Sequence, residues 1–222
     1  LSEAGHVLSR PVTQADIRSI WVGLRPLVAA PETNERGTKG LSREHTVVVD
    51  ANGLVTVTGG KWTTYRAMAE DVLERCFSSG LLPRRPGGQS ERHTLLGAPT
   101  AAAPATPIYA PPGLHLYGTE KQRVLDCPGH GRTLGLGLTE AMVRYAARQE
   151  HAHTVEDVLA RRWRALFLDA KAAAGMAPEV ADILAQEQAT DPALDRFLSL
   201  CDHYLPTRAT VCAKKPVDIP KM

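Results

Sequence analysis

The chain has 222 residues, of which 43% are hydrophobic and 23% charged, and its net charge is only +2. That is the composition of an ordinary soluble globular protein, long enough for one large domain or two small ones. The near-neutral charge excludes a polyanion binder, nucleic acid included, and no run approaches the roughly 18 consecutive apolar residues of a membrane span.

The first 62 residues predict a mixed α/β pattern. Pro11 to Asp16 reads as a helix start with Thr13 as cap and Asp16 three residues later, and the helix is expected to run to about Ile20. Ile20-Trp21-Val22-Gly23-Leu24 then looks like a buried strand entering Arg25-Pro26, and Ala30 to Ser42 is a polar loop. Thr46 to Val49 is expected as a strand, Asp50-Ala51-Asn52-Gly53 as a hairpin turn and Leu54 to Thr58 as the return strand. Next comes Gly59-Gly60-Lys61-Trp62-Thr63-Thr64-Tyr65-Arg66, opening an amphipathic helix to Phe77 that carries Met68, Val72, Cys76 and Phe77 on one face and stops at Ser79-Gly80.

Residues 81–113 are crowded with proline and glycine and read as a linker and domain boundary. Residues 114–205 read as a small helical bundle. Its expected helices are Leu114 to Leu125 (weakened by Gly118), Thr139 to Glu150, a helix capped at Thr154 to Asp157 and running to Leu168, Ala177 to Gln188, and one capped by Asp191-Pro192 and ending near Leu205. Residues 206–222 read as a tail. The four cysteines, Cys76, Cys127, Cys201 and Cys212, contain no Cys-x-x-Cys. They are expected as reduced thiols of a cytoplasmic protein, not as a disulfide frame or zinc site.

The octet carries the chemistry. A strand, two glycines and a helix start bring backbone close to a flat or anionic ligand, because no Cβ intervenes. The first N–H groups of the helix lack intrahelical partners, Thr63 or Thr64 can cap it, and Lys61 adds a positive charge. Arg25 reads as a strand-end arginine paired with a carboxylate or as an anion anchor, and Arg43 alone as a surface residue; with Lys61 the two would make a phosphate pocket. Elsewhere the readings are bland. Gly129 to Gly137 misses the dinucleotide spacing and is taken as a flexible loop. His151 and His153 on a helix would point about 200° apart, which is wrong for a shared metal. His6, His45 and His93 stand alone, and Arg161 to Arg164 is taken as a salt-bridged helix face.

The octet resembles the motif GGKxTTYR of the FAD-dependent glycerol-3-phosphate dehydrogenases. Gly23-Leu24-Arg25-Pro26-Leu27, Leu41-Ser42-Arg43-Glu44-His45, Tyr145-Ala146-Ala147-Arg148 and Arg161-Arg162 fall in that family's order. The family commonly has Thr where Trp163 stands. The resemblance implies that Arg25 and Arg43 hold the phosphate of glycerol 3-phosphate, and that Lys61 lies beside the flavin and the reacting carbon as the catalytic cation. It implies that Gly59, Gly60, Lys61, Trp62, Thr63 and Thr64 form the cofactor edge, with His45 at most behind them. The expected fold class is α+β: residues 1–80 as the residual C-terminal part of an FAD- and substrate-binding α/β domain, 81–113 as linker, 114–205 as a helical C-terminal domain and 206–222 as tail. The implied reaction is oxidation of sn-glycerol 3-phosphate to dihydroxyacetone phosphate, with electrons passed through FAD to a quinone by a cytoplasmic enzyme peripheral to the inner face of a membrane.

No GxGxxG stands upstream, so this is expected to be the C-terminal part of a longer enzyme and inactive alone. The alternatives are a glycerol-3-phosphate oxidase, which uses oxygen, and a non-catalytic helical interaction module. Assembly into a homo-oligomer is left open.

Overall fold

A computed structural model describes residues 1–24, 44–99, 106–107 and 109–206. The chain divides into two compact units, Leu1–Val22 with Leu96–Met222, and Gly23–Leu95.

The unit Gly23–Leu95 is built on a hairpin and one helix. Strands β1 (Thr46–Val49) and β2 (Val55–Thr58) pair antiparallel, with Val47 opposite Val57 and Val49 opposite Val55. The Asn52-Gly53 signal acts as expected. Gly53 takes φ +85°, its N–H donates to the Asp50 carbonyl at 2.9 Å, and the Asn52 side chain accepts from the Leu54 N–H at 2.9 Å. A short 3-10 turn, Trp62–Thr64, leads into α2 (Tyr65–Ser78); α1 (Ser2–Val7) lies in the other unit. Met68 and Val72 are half-buried and Cys76 is buried, so the predicted inner face of α2 is the real one.

The stretch after α2 does not behave as a plain linker. Arg84 pairs with Glu74 and lies over the Phe77 ring at 5.7 Å, and Ser90 Oγ donates to Glu70 at 2.9 Å. Residues 81–95 therefore fold back on α2, and the division between the units falls at Leu95/Leu96. This hairpin unit leaves Val48, Leu54, Val57 and Leu73 exposed, and Cys76 is its one fully buried apolar side chain among the described residues.

The other unit is helical and holds the core. Its elements are α3 (Lys121–Leu125), the small hairpin β3–β4 (Thr133–Gly135 with Leu138–Thr139), α4 (Glu140–Gln149), a π-helical turn (Asp157–Arg162), α5 (Ala165–Leu168), α6 (Ala170–Glu187) and α7 (Leu194–Tyr204). Phe197, Leu138, Leu159, Leu166, Ile183 and Leu184 are among its fully buried side chains. Two predicted caps are present. Thr139 Oγ1 accepts from the Met142 N–H at 3.3 Å, and Thr154 Oγ1 accepts from the Asp157 N–H at 3.1 Å while the Asp157 carboxylate accepts from the Thr154 N–H at 3.0 Å.

Several expectations are corrected here. The helix expected from Thr13 is a single 3-10 turn, Gln14–Asp16. Ile20–Leu24 forms no strand. Instead Ser19 Oγ donates to the Leu166 carbonyl at 2.8 Å, the Ile20 N–H donates to the Tyr204 carbonyl at 2.9 Å, and Trp21 meets Phe167 edge-on at 5.2 Å. Residues 1–22 thus pack with the helical unit and not with the hairpin. Leu114 to Glu120 is a 3-10 stretch broken at Gly118, with α3 after it.

The glycine-rich 129–137 segment holds β3 and the turn into β4, and Gly135 and Gly137 sit against Met176 and against Pro112 with Trp163, where a side chain would not fit. The helix expected from Thr154 to Leu168 is interrupted at Arg164, which takes φ +58°. Helix α6 begins at Ala170, capped by Asp169 accepting from the Ala172 N–H at 2.9 Å, and runs through Pro178. The expected tail lies outside the described residues apart from Pro206.

Cys76, Cys127 and Cys201 are buried free thiols, as expected of reduced cysteines. Burial, aided by the Asp202 carboxylate, pushes the Cys201 thiol up to about 11. The thiolate is the reactive form. At pH 7.5 Cys201 should therefore resist iodoacetamide in the folded chain for at least ten times as long as in denaturant, read by peptide mass mapping.

Candidate functional site

The glycine turn sits where β2 hands over to α2. Gly59 and Gly60 both have φ +78°, the left-handed region that a side chain disfavours. Their space is also occupied. A Cβ on Gly59 would stand 2.5 Å from the Glu44 carbonyl oxygen, and one on Gly60 would stand 2.6 Å from the Met68 sulfur and 3.1 Å from His45 Cβ. The glycines are thus required from within the fold, because the turn is pressed onto residues 44–45 and onto α2.

Beyond the turn the chain is open. Lys61, Thr63 and Thr64 are exposed, and Trp62 is 86% exposed and stacked on Tyr65 with ring centroids 5.5 Å apart. The predicted side-chain cap is not made. Thr64 Oγ1 donates to the Lys61 carbonyl at 3.0 Å, and no cap hydrogen bond comes from Lys61 or Thr64. The first N–H groups of the 3-10 turn keep no intrahelical acceptor, as at any helix start.

Lys61 stands in a cleft of about 760 Å³ between the lead into β1 and α2. Its walls carry Glu44, His45, Lys61, Asp71, Glu74 and Arg75. His45, expected to stand alone, has a partner: its Nε2 lies 2.6 Å from Asp71 Oδ2. A carboxylate accepts, so Nε2 carries the proton. The two residues are 26 positions apart and meet only because the hairpin folds onto α2. With three carboxylates among its walls, this cleft is not a phosphate pocket of its own. Arg25 and Arg43, the residues expected to bind phosphate, lie outside the described residues.

A second, apolar cleft of about 970 Å³ lies on the other side of α2, walled by Tyr65, Leu73, Phe77, Leu82 and the 83–90 segment.

In the helical unit the charged residues serve packing. Glu187 accepts from Arg144 Nη1 at 2.5 Å and from Arg148 Nε at 2.6 Å, and Glu140 accepts from Arg144 Nε at 2.9 Å and from Arg132 Nη1 at 3.1 Å. Hydrogen bonds from Arg148 hold the Glu187 carboxyl below its usual range, and those from Arg144 do the same for Glu140. The expected salt-bridged reading of the basic stretch holds: Arg161 pairs with Glu156, and Arg162 with Asp157 at 3.3 Å and with the Glu150 carbonyl at 2.5 Å. His153 faces Gln188 Oε1 at 3.0 Å. Among the described residues no cluster of His, Cys, Asp and Glu could hold a metal, and no helix is long and apolar enough to cross a membrane.

Comparison with known proteins agrees with the motif order. Residues 90–194 match the family described as the C-terminal domain of alpha-glycerophosphate oxidase. The chain is 35% identical to a mitochondrial glycerol-3-phosphate dehydrogenase of Arabidopsis thaliana over 86% of its own length and 35% of the relative's. It is 36% identical to glycerol-3-phosphate dehydrogenase 2 of Mycobacterium tuberculosis over 83% of this chain and 34% of that one. The mitochondrial glycerol-3-phosphate dehydrogenase of Bos taurus is 30% identical over 84% of this chain and 28% of that one. The chain thus spans about a third of the length of these curated relatives. No solved structure matches it. The chain belongs to the glycerol-3-phosphate dehydrogenase and alpha-glycerophosphate oxidase family, and its residues 90–194 form that family's C-terminal domain.

Proposed function

We propose that this chain is the C-terminal part of an FAD-dependent enzyme that oxidises sn-glycerol 3-phosphate to dihydroxyacetone phosphate and passes the electrons to a quinone at a membrane surface. Family membership supports the substrate class. The observation that carries the assignment to these residues is the turn itself: a strand, two glycines and a helix start with Lys61 displayed on open backbone.

The donor set fits a flavin edge. A helix N-terminus offers N–H groups and the positive end of the helix dipole, and Lys61 adds a full charge. FAD, when bound, supplies the hydride acceptor. Gly59, Gly60, Lys61, Trp62, Thr63 and Thr64 would hold its pyrimidine edge, and the Lys61 ammonium stabilises negative charge that develops beside it. Arg25 and Arg43 anchor the substrate phosphate through bidentate guanidinium contacts. In this reading Gly23–Leu95 is the remaining part of a flavin and substrate domain, and the chain alone does not turn over.

The exposed Val48 and Val57, on opposite faces of the hairpin, favour this over a free-standing interaction module, because a two-stranded sheet with apolar side chains uncovered on both faces is half a structure. Quinone and oxygen are separated by assaying the enzyme with each acceptor.

The test is an FAD titration, followed by flavin fluorescence, of this chain and of a longer polypeptide in which a dinucleotide-binding half precedes it. Saturable binding in either, weakened at least tenfold by Lys61→Met, supports the reading. No binding in both overturns it.

A further inference from the structure

The His45–Asp71 pair is not used by the reading above, and it joins the glycine turn to α2. Residues 44 and 45 form the floor of the turn: the Gly59 backbone lies on the Glu44 carbonyl and His45 Cα, and Gly60 lies on His45 Cβ. The Met68 sulfur crowds the same space beside Gly60. Met68 and Asp71 are three residues apart on α2, hence on one face of that helix. The imidazole of His45 crosses from the lead into β1 to this face and binds Asp71 at 2.6 Å, with its own side chain 22% exposed.

We propose that His45 is a positioning residue: locked by Asp71, it clamps the lead into β1 and α2 around Gly60 and so fixes where Lys61 stands. This rests on the role given to Lys61 above. Lys61 follows Gly60 directly, so one hydrogen bond constrains the chain next to that cation. Glu44, Lys61, Glu74 and Arg75 are the other charged residues that line the same cleft. The Asp71 carboxylate is 60% exposed, so the bond contributes less to global stability than to local order.

The test is amide hydrogen exchange, read by NMR on the 222-residue chain. His45→Ala and Asp71→Ala should each speed exchange of the Thr64 amide and of the amides in the first turn of α2 about tenfold, leaving α4 and α6 unchanged. His45→Gln, whose amide nitrogen can donate to Asp71 from nearly the same place, should exchange as wild type does. Alanine variants that exchange like wild type overturn the proposal. So does a glutamine variant that behaves like alanine, which would make bulk and not the hydrogen bond the cause. In whichever polypeptide binds FAD, His45→Ala should weaken binding and His45→Gln should not; equal affinity in both overturns the positioning of Lys61. If neither polypeptide binds FAD, the function proposed above fails, while the exchange pattern still decides whether His45 fixes the turn.

Discussion

Glu187→Ala should lower the stability of the helical unit by about 1.5–3 kcal/mol, the cost of losing charge-assisted hydrogen bonds and leaving the half-buried Arg144 short of a partner. The Glu187 side chain is 8% exposed and that of Arg144 12%, and Arg144 and Arg148 both donate to Glu187. Arg144 retains Glu140 and Gln186, so the loss stays below that of an orphaned charge. Urea denaturation followed at the helical signal measures it, and an unchanged midpoint would remove the network from the account of this fold.

The same carboxylates set an acid limit. Their folded pKa values lie below the unfolded value, so their stabilisation is complete above about pH 4.3 and is lost as pH falls through the folded values. Wild type should therefore lose stability on acidification below about pH 4 more steeply than Glu187→Gln.

Gly59→Ala should disrupt the turn that presents Lys61, at a cost of roughly 2–4 kcal/mol from the positive φ together with a backbone collision. The atom it meets is the Glu44 carbonyl oxygen, which cannot swing aside. Gly60→Ala shares the φ of +78°, but its obstacle is the Met68 thioether, the end of a flexible side chain. It should cost less, about 1–2 kcal/mol. Amide exchange across 55–68 measures both, with the helical unit as internal control. Gly60→Ala proving worse than Gly59→Ala would mean that steric pressure does not come from residue 44. Because the hairpin unit has so little buried apolar surface, either change should open it locally without unfolding α6 or α7.

What could be read from sequence was what local chemistry encodes. Asn52-Gly53 marked the hairpin, since Gly53 accepts the positive φ that the turn needs, whereas the register was not read. Thr139 and Thr154 marked caps, and the 3.6-residue spacing of Met68, Val72 and Cys76 marked the inner face of α2. The failures are tertiary. Ile20–Leu24 is as apolar as a strand, but its partners, Leu166 and Tyr204, lie about 150 to 180 residues on, and no period announces them. Pro178 suits a first turn, so it hid the two turns of α6 that precede it. Arg164 at positive φ breaks a helix that its own sequence continues. At the site, the glycines and Lys61 were visible as a motif, whereas His45–Asp71 was invisible because only folding brings residues 26 apart together.

The strap formed by residues 18–21 bears on how the protein is made. Ile20 hydrogen-bonds to Tyr204, and Arg18 to Asp169 at 2.9 Å. At about 5–20 residues per second, a ribosome needs roughly ten to forty seconds to add the sequence between Ile20 and Tyr204. For most of that interval, until Leu166 and Phe167 and then Tyr204 are made, Trp21 and its neighbours lack their docking surface, although the hairpin and α2 can already form. The stretch around Trp21 thus waits unburied while the hairpin that follows it is folding, which makes residues 18–21 a natural place for a chaperone to bind and late to take native structure.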